Sequence, residues 1–243
     1  MMNEAKFKRV LLKLSGEALS GQDGRGINAE VLENIVDEVA QVVAMGVEVA
    51  IVVGGGNIWR GLGGTKKGIS RTTGDSMGML ATVINSLAIS DALNAEGVKA
   101  RVMTAINMEP VAEFYAAPKA RRELEKGEVV VFGGGIGNPY FSTDTTAALR
   151  AAEIEADVIL MAKNIDGVYD SDPKVNPNAK RFATITYGEI LSKGLKVMDA
   201  TAASLCRDND IAIFVFDMLT KGNIKRAVMG ENIGTYIRSE KND

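Results

Sequence analysis

Glycine-rich stretches follow three strand-like hydrophobic runs, and their backbone is suited to binding phosphate. The stretches are Ser15-Gly16, Gly54 to Gly56 and Gly133 to Gly137. Glycine lets backbone N–H groups approach an anion without a side chain in the way, and the start of a following helix adds partial positive charge. For any one stretch, a simple strand end is an equal alternative. Three together, with basic residues nearby, favour a phosphate site beyond the carboxyl ends of a sheet.

Three charged residues next to these stretches are candidates for chemistry. Lys13 ends an otherwise apolar strand, and Arg60 lies four residues after Gly56. Both can place positive charge on phosphate oxygens, although either could instead be a solvated surface cation. Asp144 precedes a predicted helix, where it could be a cap or could take part in the site.

Several classes of active site are excluded by composition. The chain has 243 residues, no histidine and one cysteine, Cys206, which we interpret as a buried small hydrophobe. A Cys/His zinc site, a Ser-His-Asp triad and a Cys-His dyad are therefore impossible. No G-x-x-x-x-G-K-[ST] motif occurs, and the match of Gly24-Arg25-Gly26 with Ala29 to a dinucleotide fingerprint is weak because no strand precedes it.

Charge and hydropathy indicate a soluble protein. The net charge of −3 and pI near 5.3 argue against a protein that mainly coats nucleic acid. The start has no signal-like apolar block, and we expect no apolar run to approach the roughly 18 residues of a membrane span. We expect a cytoplasmic protein with no membrane partner and no requirement for nucleic acid.

Alternating strand and helix patterns predict one α/β domain over residues 1–243, with helices on both faces of a mostly parallel sheet. The chain shows no linker and no internal repeat. The stretch 166–180, with prolines at 173 and 177, is predicted to be a long ordered loop. Predicted strands cover 7–14, 47–53, 100–103, 129–132, 156–162 and 211–216. Predicted helices cover 31–43 after an Asn28 cap, 79–93, 111–124, the region from a cap at Ser142 or Thr143 to Ala152, and two segments ending at Leu205 and Val228.

Long motifs in a fixed order carry a resemblance across nearly the whole chain. They are Lys13-Leu14-Ser15-Gly16-Glu17-Ala18-Leu19, Gly54-Gly55-Gly56-Asn57 with Arg60-Gly61, Gly74-Asp75 before Met77 to Thr82, Gly137 to Asp144, Asp166-Gly167-Val168-Tyr169 with Asp172-Pro173, and Leu195-Lys196-Val197-Met198-Asp199. The set resembles the bacterial uridylate kinases of the amino-acid-kinase family.

The resemblance implies a three-layer αβα sandwich, the amino-acid-kinase fold, usually assembled as a homohexamer. Its activity would be reversible transfer of the ATP γ-phosphoryl group, with Mg²⁺, to UMP. The products UDP and ADP would place it in pyrimidine nucleotide biosynthesis. GTP activation and UTP inhibition are further expectations from this resemblance.

Site residues follow from the resemblance position by position. The expected ATP contacts are Lys13, Leu14, Ser15, Gly16, Gly56, Arg60, Lys163, Asn164, Tyr169 and Asp172. The expected UMP contacts are Gly55, Asp75, Ile136, Gly137, Asn138, Pro139, Tyr140, Phe141, Ser142 and Thr143. The stretch linked to GTP is Gly21, Gln22, Asp23, Gly24, Arg25 and Gly26. In some relatives a lysine stands at the position of Met161, whereas here Lys163 follows two residues later.

Phosphoryl transfer through a loose transition state needs alignment and charge stabilisation, which Lys13 and Arg60 can supply without histidine. Asp75 is the candidate for the ribose hydroxyls, since a carboxylate accepts from both. Asp144 and Asp199 are candidates to orient Lys13 or water on Mg²⁺, and the residues do not rank the two. The alternatives are a kinase of the same fold with another acceptor, and a nucleotide-binding regulatory protein without turnover.

Overall fold

The computed structural model describes residues 5–60, 68–195 and 197–239. Gly61 and Lys196, which belong to the motifs above, lie outside these residues. The described strands form one nine-stranded sheet in the order β4-β3-β5-β2-β1-β6-β8-β9-β7. The strands are β1 Arg9–Leu14, β2 Glu48–Val53, β3 Ala100–Thr104, β4 Glu113–Phe114, β5 Val129–Gly133, β6 Val158–Lys163, β7 Thr184–Thr186, β8 Ala212–Asp217 and β9 Gly234–Arg238.

Helices cover both faces of the sheet, which confirms the predicted three-layer α/β sandwich. The helices are α1 Gly16–Leu19, α2 Ala29–Ala44, α3 Arg71–Ala95, α4 Ala117–Glu125, α5 Thr143–Glu153, α6 Tyr187–Lys193, α7 Ala200–Asp208 and α8 Asn223–Val228. One apolar cluster joins the sheet to α4, α5, α6 and α7, and the other joins it to α2, α3 and α8. Each described strand pairing is parallel except that of β8 with β9.

Alternation along β1 determines where its lysine points. Val10, Leu12 and Leu14 pack in the cluster under α2, α3 and α8, whereas Leu11 packs on the opposite face. Successive side chains of a strand point to opposite faces, so Lys13 shares the face of Leu11, the one covered by α5. Strand β1 lies between β2 and β6, and its neighbours run parallel to it on both sides.

Three sequence predictions need correction. Helix α3 begins at Arg71, eight residues before the predicted start, after a Ser70 cap whose hydroxyl accepts from the Thr73 N–H. The predicted helix 111–124 begins only at Ala117, because Glu113–Phe114 joins the edge of the sheet as β4. Strands β7 and β9 and helix α6 were not predicted.

Helix α3 is the one helix in the described parts of the chain whose length and apolar composition would allow it to cross a bilayer. Ile89 and Leu93 are fully buried against the sheet. Asn85 and Ser86 are also fully buried, and both donate hydrogen bonds to backbone carbonyls. These contacts are those of a core helix, and core helices share this length and composition.

Helix α8 receives its N-terminal cap from a different helix. Its first residues follow Gly222, which has no side chain to cap them. Glu38 of α2 is buried, and its two carboxylate oxygens accept from the Gly222 and Ile224 N–H groups, each at 2.8 Å. The carboxylate thus satisfies two donors that the start of a helix leaves unpaired.

We expect Glu38→Ala to lower the free energy of unfolding by about 3 kcal/mol, because it removes two charge-assisted hydrogen bonds and leaves buried N–H groups unpaired. Urea denaturation followed by circular dichroism measures the change. Glu33→Ala, at an exposed position of the same helix, is the control and should alter stability by less than about 0.5 kcal/mol. Equal stability of the two variants would contradict this role.

Candidate functional site

The most buried charged pair at the carboxyl end of β1 joins Lys13 and Asp144. The Lys13 Nζ lies 2.7 Å from Asp144 Oδ1, and their side chains are 10% and 18% exposed. Asp144 is in the first turn of α5, so helix and strand each supply one partner. A buried lysine is tolerated when a partner charge lies close to it, and Asp144 supplies that charge here.

Asp199 has a different role from Asp144 in this structure. Its carboxylate caps α7 by accepting from the Ala202 N–H at 2.9 Å. It also accepts from the hydroxyls of Ser142 and Thr145, at the start of α5. Asp144 is therefore the carboxylate that orients Lys13, whereas Asp199 fastens the starts of α5 and α7 together.

Lys163 ends β6 close to the same pair. Its Nζ donates to the Val197 carbonyl. Burial lowers the pKa of Lys163; the Asp144 charge opposes this shift, and the Lys13 charge adds to it. Met161, two residues earlier, is buried in the core, so of the two side chains it is Lys163 that reaches the site.

The backbones after β1 and β2 touch at the end of the sheet. The Gly54 N–H donates to the Leu14 carbonyl at 2.9 Å. A Cβ on Gly16 would lie 2.6 Å from the Gly56 nitrogen and 2.7 Å from the Gly54 oxygen, which no other residue could tolerate. Ser15 caps α1 by accepting from the Ala18 N–H. In the described parts of the chain, neither the Gly55 nor the Gly56 N–H donates to a protein acceptor.

A cavity of about 260 Å³ opens beside this contact on the β2 side. Of the expected UMP contacts, it is lined by Gly55, Asp75, Asn138, Phe141, Ser142 and Thr143, and by Gly56 of the expected ATP contacts. The loop that also carries Ile136, Gly137, Pro139 and Tyr140 forms its rim, although these four do not line it. Ser142, not Thr143, caps α5, accepting from the Asp144 and Thr145 N–H groups.

Asp75 reaches this cavity from the first turns of α3. Its carboxylate accepts from Arg71 Nε at 2.8 and 3.0 Å and from the Tyr140 N–H at 2.8 Å. Tyr140 has a positive φ of 74°, a conformation that is unfavourable for a side chain of this size. Asp75 therefore holds the cavity's rim as well as facing its interior.

A second cavity, of about 480 Å³, lies on the β6 and β8 side. Three of the expected ATP contacts, Lys163, Tyr169 and Asp172, line it together with the apolar side chains of Ile165, Val168, Leu195, Val197 and Val215. The Tyr169 hydroxyl donates to Asp166 at 2.7 Å, and this bond raises the tyrosine pKa. The mixture of apolar walls with a few polar groups is typical of sites for small organic ligands.

Three further predicted residues line neither of these two cavities. The Arg60 side chain is 66% exposed; it pairs with Glu17 at 2.7 Å, and its Nε donates to the Gly56 carbonyl at 3.4 Å. Asn164 lines neither of the two cavities; it borders a third, of about 630 Å³, with Gly21 and Asp23. Leu14 is fully buried in the core and can contribute only its backbone.

Sequence reasoning missed several residues that line the first cavity. Those outside every quoted motif and stretch are Val52, Val53, Trp59, Phe132 and Thr146; those within one, but given no substrate contact, are Gly74, Gly78, Met79, Thr82 and Gly135. Trp59 Nε1 donates to the Gly74 carbonyl at 2.8 Å, and the Thr82 hydroxyl accepts from the Gly134 N–H at 2.9 Å. The lone tryptophan next to Arg60 was the available signal. Thr82 ends one of the quoted motifs, but its contact with Gly134, 52 residues later in the chain, is visible only in the structure.

Comparison with known proteins finds similar chains of known structure. A crystal structure of UMP kinase from Bacillus anthracis is 42% identical, with a TM-score of 0.94, covering 96% of this chain and 97% of that one. The structure of UMP kinase from Ureaplasma parvum is 40% identical, with a TM-score of 0.91 and coverages of 96% and 99%. Residues 8–217 match the model of the amino acid kinase family. With that match over most of its length, the chain belongs to the amino acid kinase family.

Proposed function

We propose that this protein is a UMP kinase, which transfers the γ-phosphoryl group of ATP to UMP and releases UDP and ADP. The observation that carries the proposal is that two cavities flank β1 and its Lys13–Asp144 pair. A donor and an acceptor nucleotide bound in them would bring their phosphates together at the glycine contact. Similarity to two UMP kinases over nearly the whole chain supports UMP as the acceptor.

The reaction needs no strong general base. The second pKa of a phosphate monoester is near 6, so the attacking oxygen of UMP is already deprotonated at neutral pH. Lys13 would stabilise charge on the transferring phosphoryl group, and Asp144 would hold the ammonium in place. The Gly55 and Gly56 N–H groups would bind phosphate oxygens. The apolar second cavity would receive adenine, and Asp75 the ribose of UMP.

The residues present are compatible with Mg²⁺ delivered on ATP. Within the described residues, no group of three acidic or cysteine side chains forms a dedicated metal cage. Mg²⁺ commonly uses one or two carboxylates and takes its other ligands from phosphates and water. Asp144 is the carboxylate that would hold the ion, whose positive charge would offset the charge of the phosphates.

Regulation, assembly and location are proposed from the family resemblance. GTP would activate and UTP inhibit, with Gly21 to Gly26 linked to activation. The chain would assemble as a homohexamer in the cytoplasm and supply UDP for pyrimidine nucleotide synthesis. The exposed positions of Gly21 and of Asp23 to Gly26 are compatible with contact to an effector or to a neighbouring subunit.

The decisive experiment is coupled ADP release with ATP and Mg²⁺, comparing UMP, CMP, dUMP and AMP on the purified protein, with and without GTP. We expect a strong preference for UMP. Release with another acceptor would indicate a different kinase of this fold. ATP binding without acceptor-dependent ADP release under any condition would favour the regulatory protein.

We expect Lys13→Met to lower kcat by roughly 10²-fold, because it removes charge stabilisation worth about 3 kcal/mol in the transition state. Methionine keeps the length of the side chain and its packing. Steady-state ADP release measures the change. Lys8→Met, at a lysine whose side chain is 80% exposed, is the matched control. A Lys13 variant with the turnover of that control would remove Lys13 from the mechanism.

We expect Asp75→Asn to raise the KM for UMP about tenfold and to leave the KM for ATP within about twofold, since a neutral amide binds ribose hydroxyls less strongly than a carboxylate. Asp91→Asn, at an exposed position of the same helix, controls for the change of charge. A rise confined to the KM for ATP would move Asp75 to the donor subsite.

A further inference from the structure

Asn57 and Asn85 form a reciprocal pair of side-chain amides beneath the glycine contact. Asn57 Nδ2 donates to Asn85 Oδ1 at 3.1 Å, and Asn85 Nδ2 donates to Asn57 Oδ1 at 2.8 Å. Asn57 is 4% exposed and Asn85 is fully buried. Neither residue lines the two cavities described above.

Each amide uses its second N–H on the backbone of a loop. Asn85 donates to the Gly54 carbonyl and Asn57 to the Gly26 carbonyl, both at 2.7 Å. All four amide N–H groups of the pair therefore have acceptors. Unpaired buried amides are costly, so the pair keeps this arrangement only while both loops stay in place.

The hydrogen bond from Asn85 to the Gly54 carbonyl sets the direction of the Gly55 N–H, which is proposed to donate a hydrogen bond to phosphate. Gly54 C=O and Gly55 N–H belong to one peptide group, and in a trans peptide the two bonds point in opposite directions. Asn85 holds the carbonyl on the side of α3. The Gly55 N–H is thereby turned the other way, and Gly55 lines the 260 Å³ cavity.

Asn57 also connects the loop after β2 with two other segments of the chain. Asn57 binds Gly26 twice, since its side chain donates to the Gly26 carbonyl and its own carbonyl accepts from the Gly26 N–H at 3.1 Å. A Cβ on Gly16 would lie 2.7 Å from Asn57 Oδ1. Asn57 therefore touches the loops after β1 and β2 and the stretch ending at Gly26.

We propose that Asn57 and Asn85 are positioning residues, which aim the backbone of Gly54 to Gly56 at substrate phosphate and couple it to the Gly21 to Gly26 stretch. The assignment of phosphate to this backbone rests on the proposed function; the mechanical coupling of the two loops does not. Displacement of Gly26 would shift the Asn57 amide, which would shift the Asn85 amide. The Gly54 peptide would then change its orientation.

The first test is kinetic. Asn85→Asp keeps the shape but puts a carboxylate oxygen against the Gly54 carbonyl, and we expect kcat/KM for UMP to fall roughly 10²-fold, the scale of a small misplacement of reacting groups. Asn57→Ala should lower it about tenfold. The double variant Asn57→Ala with Asn85→Ala should have a kcat/KM for UMP no lower than that of the less active single alanine variant, since the two residues act as one unit.

Leu93→Ala is the control, because Leu93 is fully buried on the same helix and its loss destabilises the fold without touching the loops. It should change kcat/KM less than threefold. An equal loss in Leu93→Ala, or full activity in both asparagine variants, would overturn the proposal. If Asn85→Asp does not fold, the kcat/KM of Asn57→Ala decides whether the proposal stands.

Hydrogen exchange by mass spectrometry tests the coupling without substrate. In Asn57→Ala we expect faster exchange in peptides covering 21–28 and 54–58, with unchanged exchange in β5 and β6. Unchanged exchange in either loop would overturn the coupling. A wild type that is silent with UMP would reject the proposed function alone, because the exchange result still decides whether the pair joins the loops.

Discussion

The site depends on a steric constraint: two chain segments meet where only a backbone without a side chain fits. Gly16 and Gly54 lie so close that a Cβ on either would come within 2.8 Å of the other loop's backbone. Parallel pairing of β1 with β2 brings both carboxyl ends to this point. In the described residues the Gly55 and Gly56 N–H groups beside this contact donate to no protein acceptor, and both glycines line the first cavity.

Next to this contact, a buried positive charge in the sheet layer is paired with a negative charge in the helix layer. Lys13 comes from the sheet and Asp144 from a helix that packs on it. An isolated ammonium at this depth would be strongly unfavourable, and a buried pair is tolerated only with good geometry. Asp199 contributes indirectly, because it ties Ser142 and Thr145 to the start of α7. The order of the acidic residues along the chain therefore does not reveal their roles.

Much of the central sheet is predictable because buried parallel strands are continuous apolar runs, as in β2 and β5. The start of α3 was missed because Gly74 and Gly78 weaken a helical pattern. Strand β9 was missed because its partners, β8 and β7, are fixed only in three dimensions. Glycine loops and Lys13 stand out in the sequence. Choosing Asp144 over Asp199 as the partner of Lys13, or finding the role of Asn85, requires contacts between distant segments.

Strand β9 joins the sheet between β8 and β7, antiparallel to the first and parallel to the second. Its Thr235 hydroxyl accepts from the Val168 N–H at 2.9 Å and donates to the Phe182 carbonyl. Val168 is in the wall of the second cavity. Of the described strands, β9 is the last to leave the ribosome. The compartment around Lys163 thus depends on a strand from the last part of the described chain, whereas the glycine contact is built from the carboxyl ends of β1 and β2.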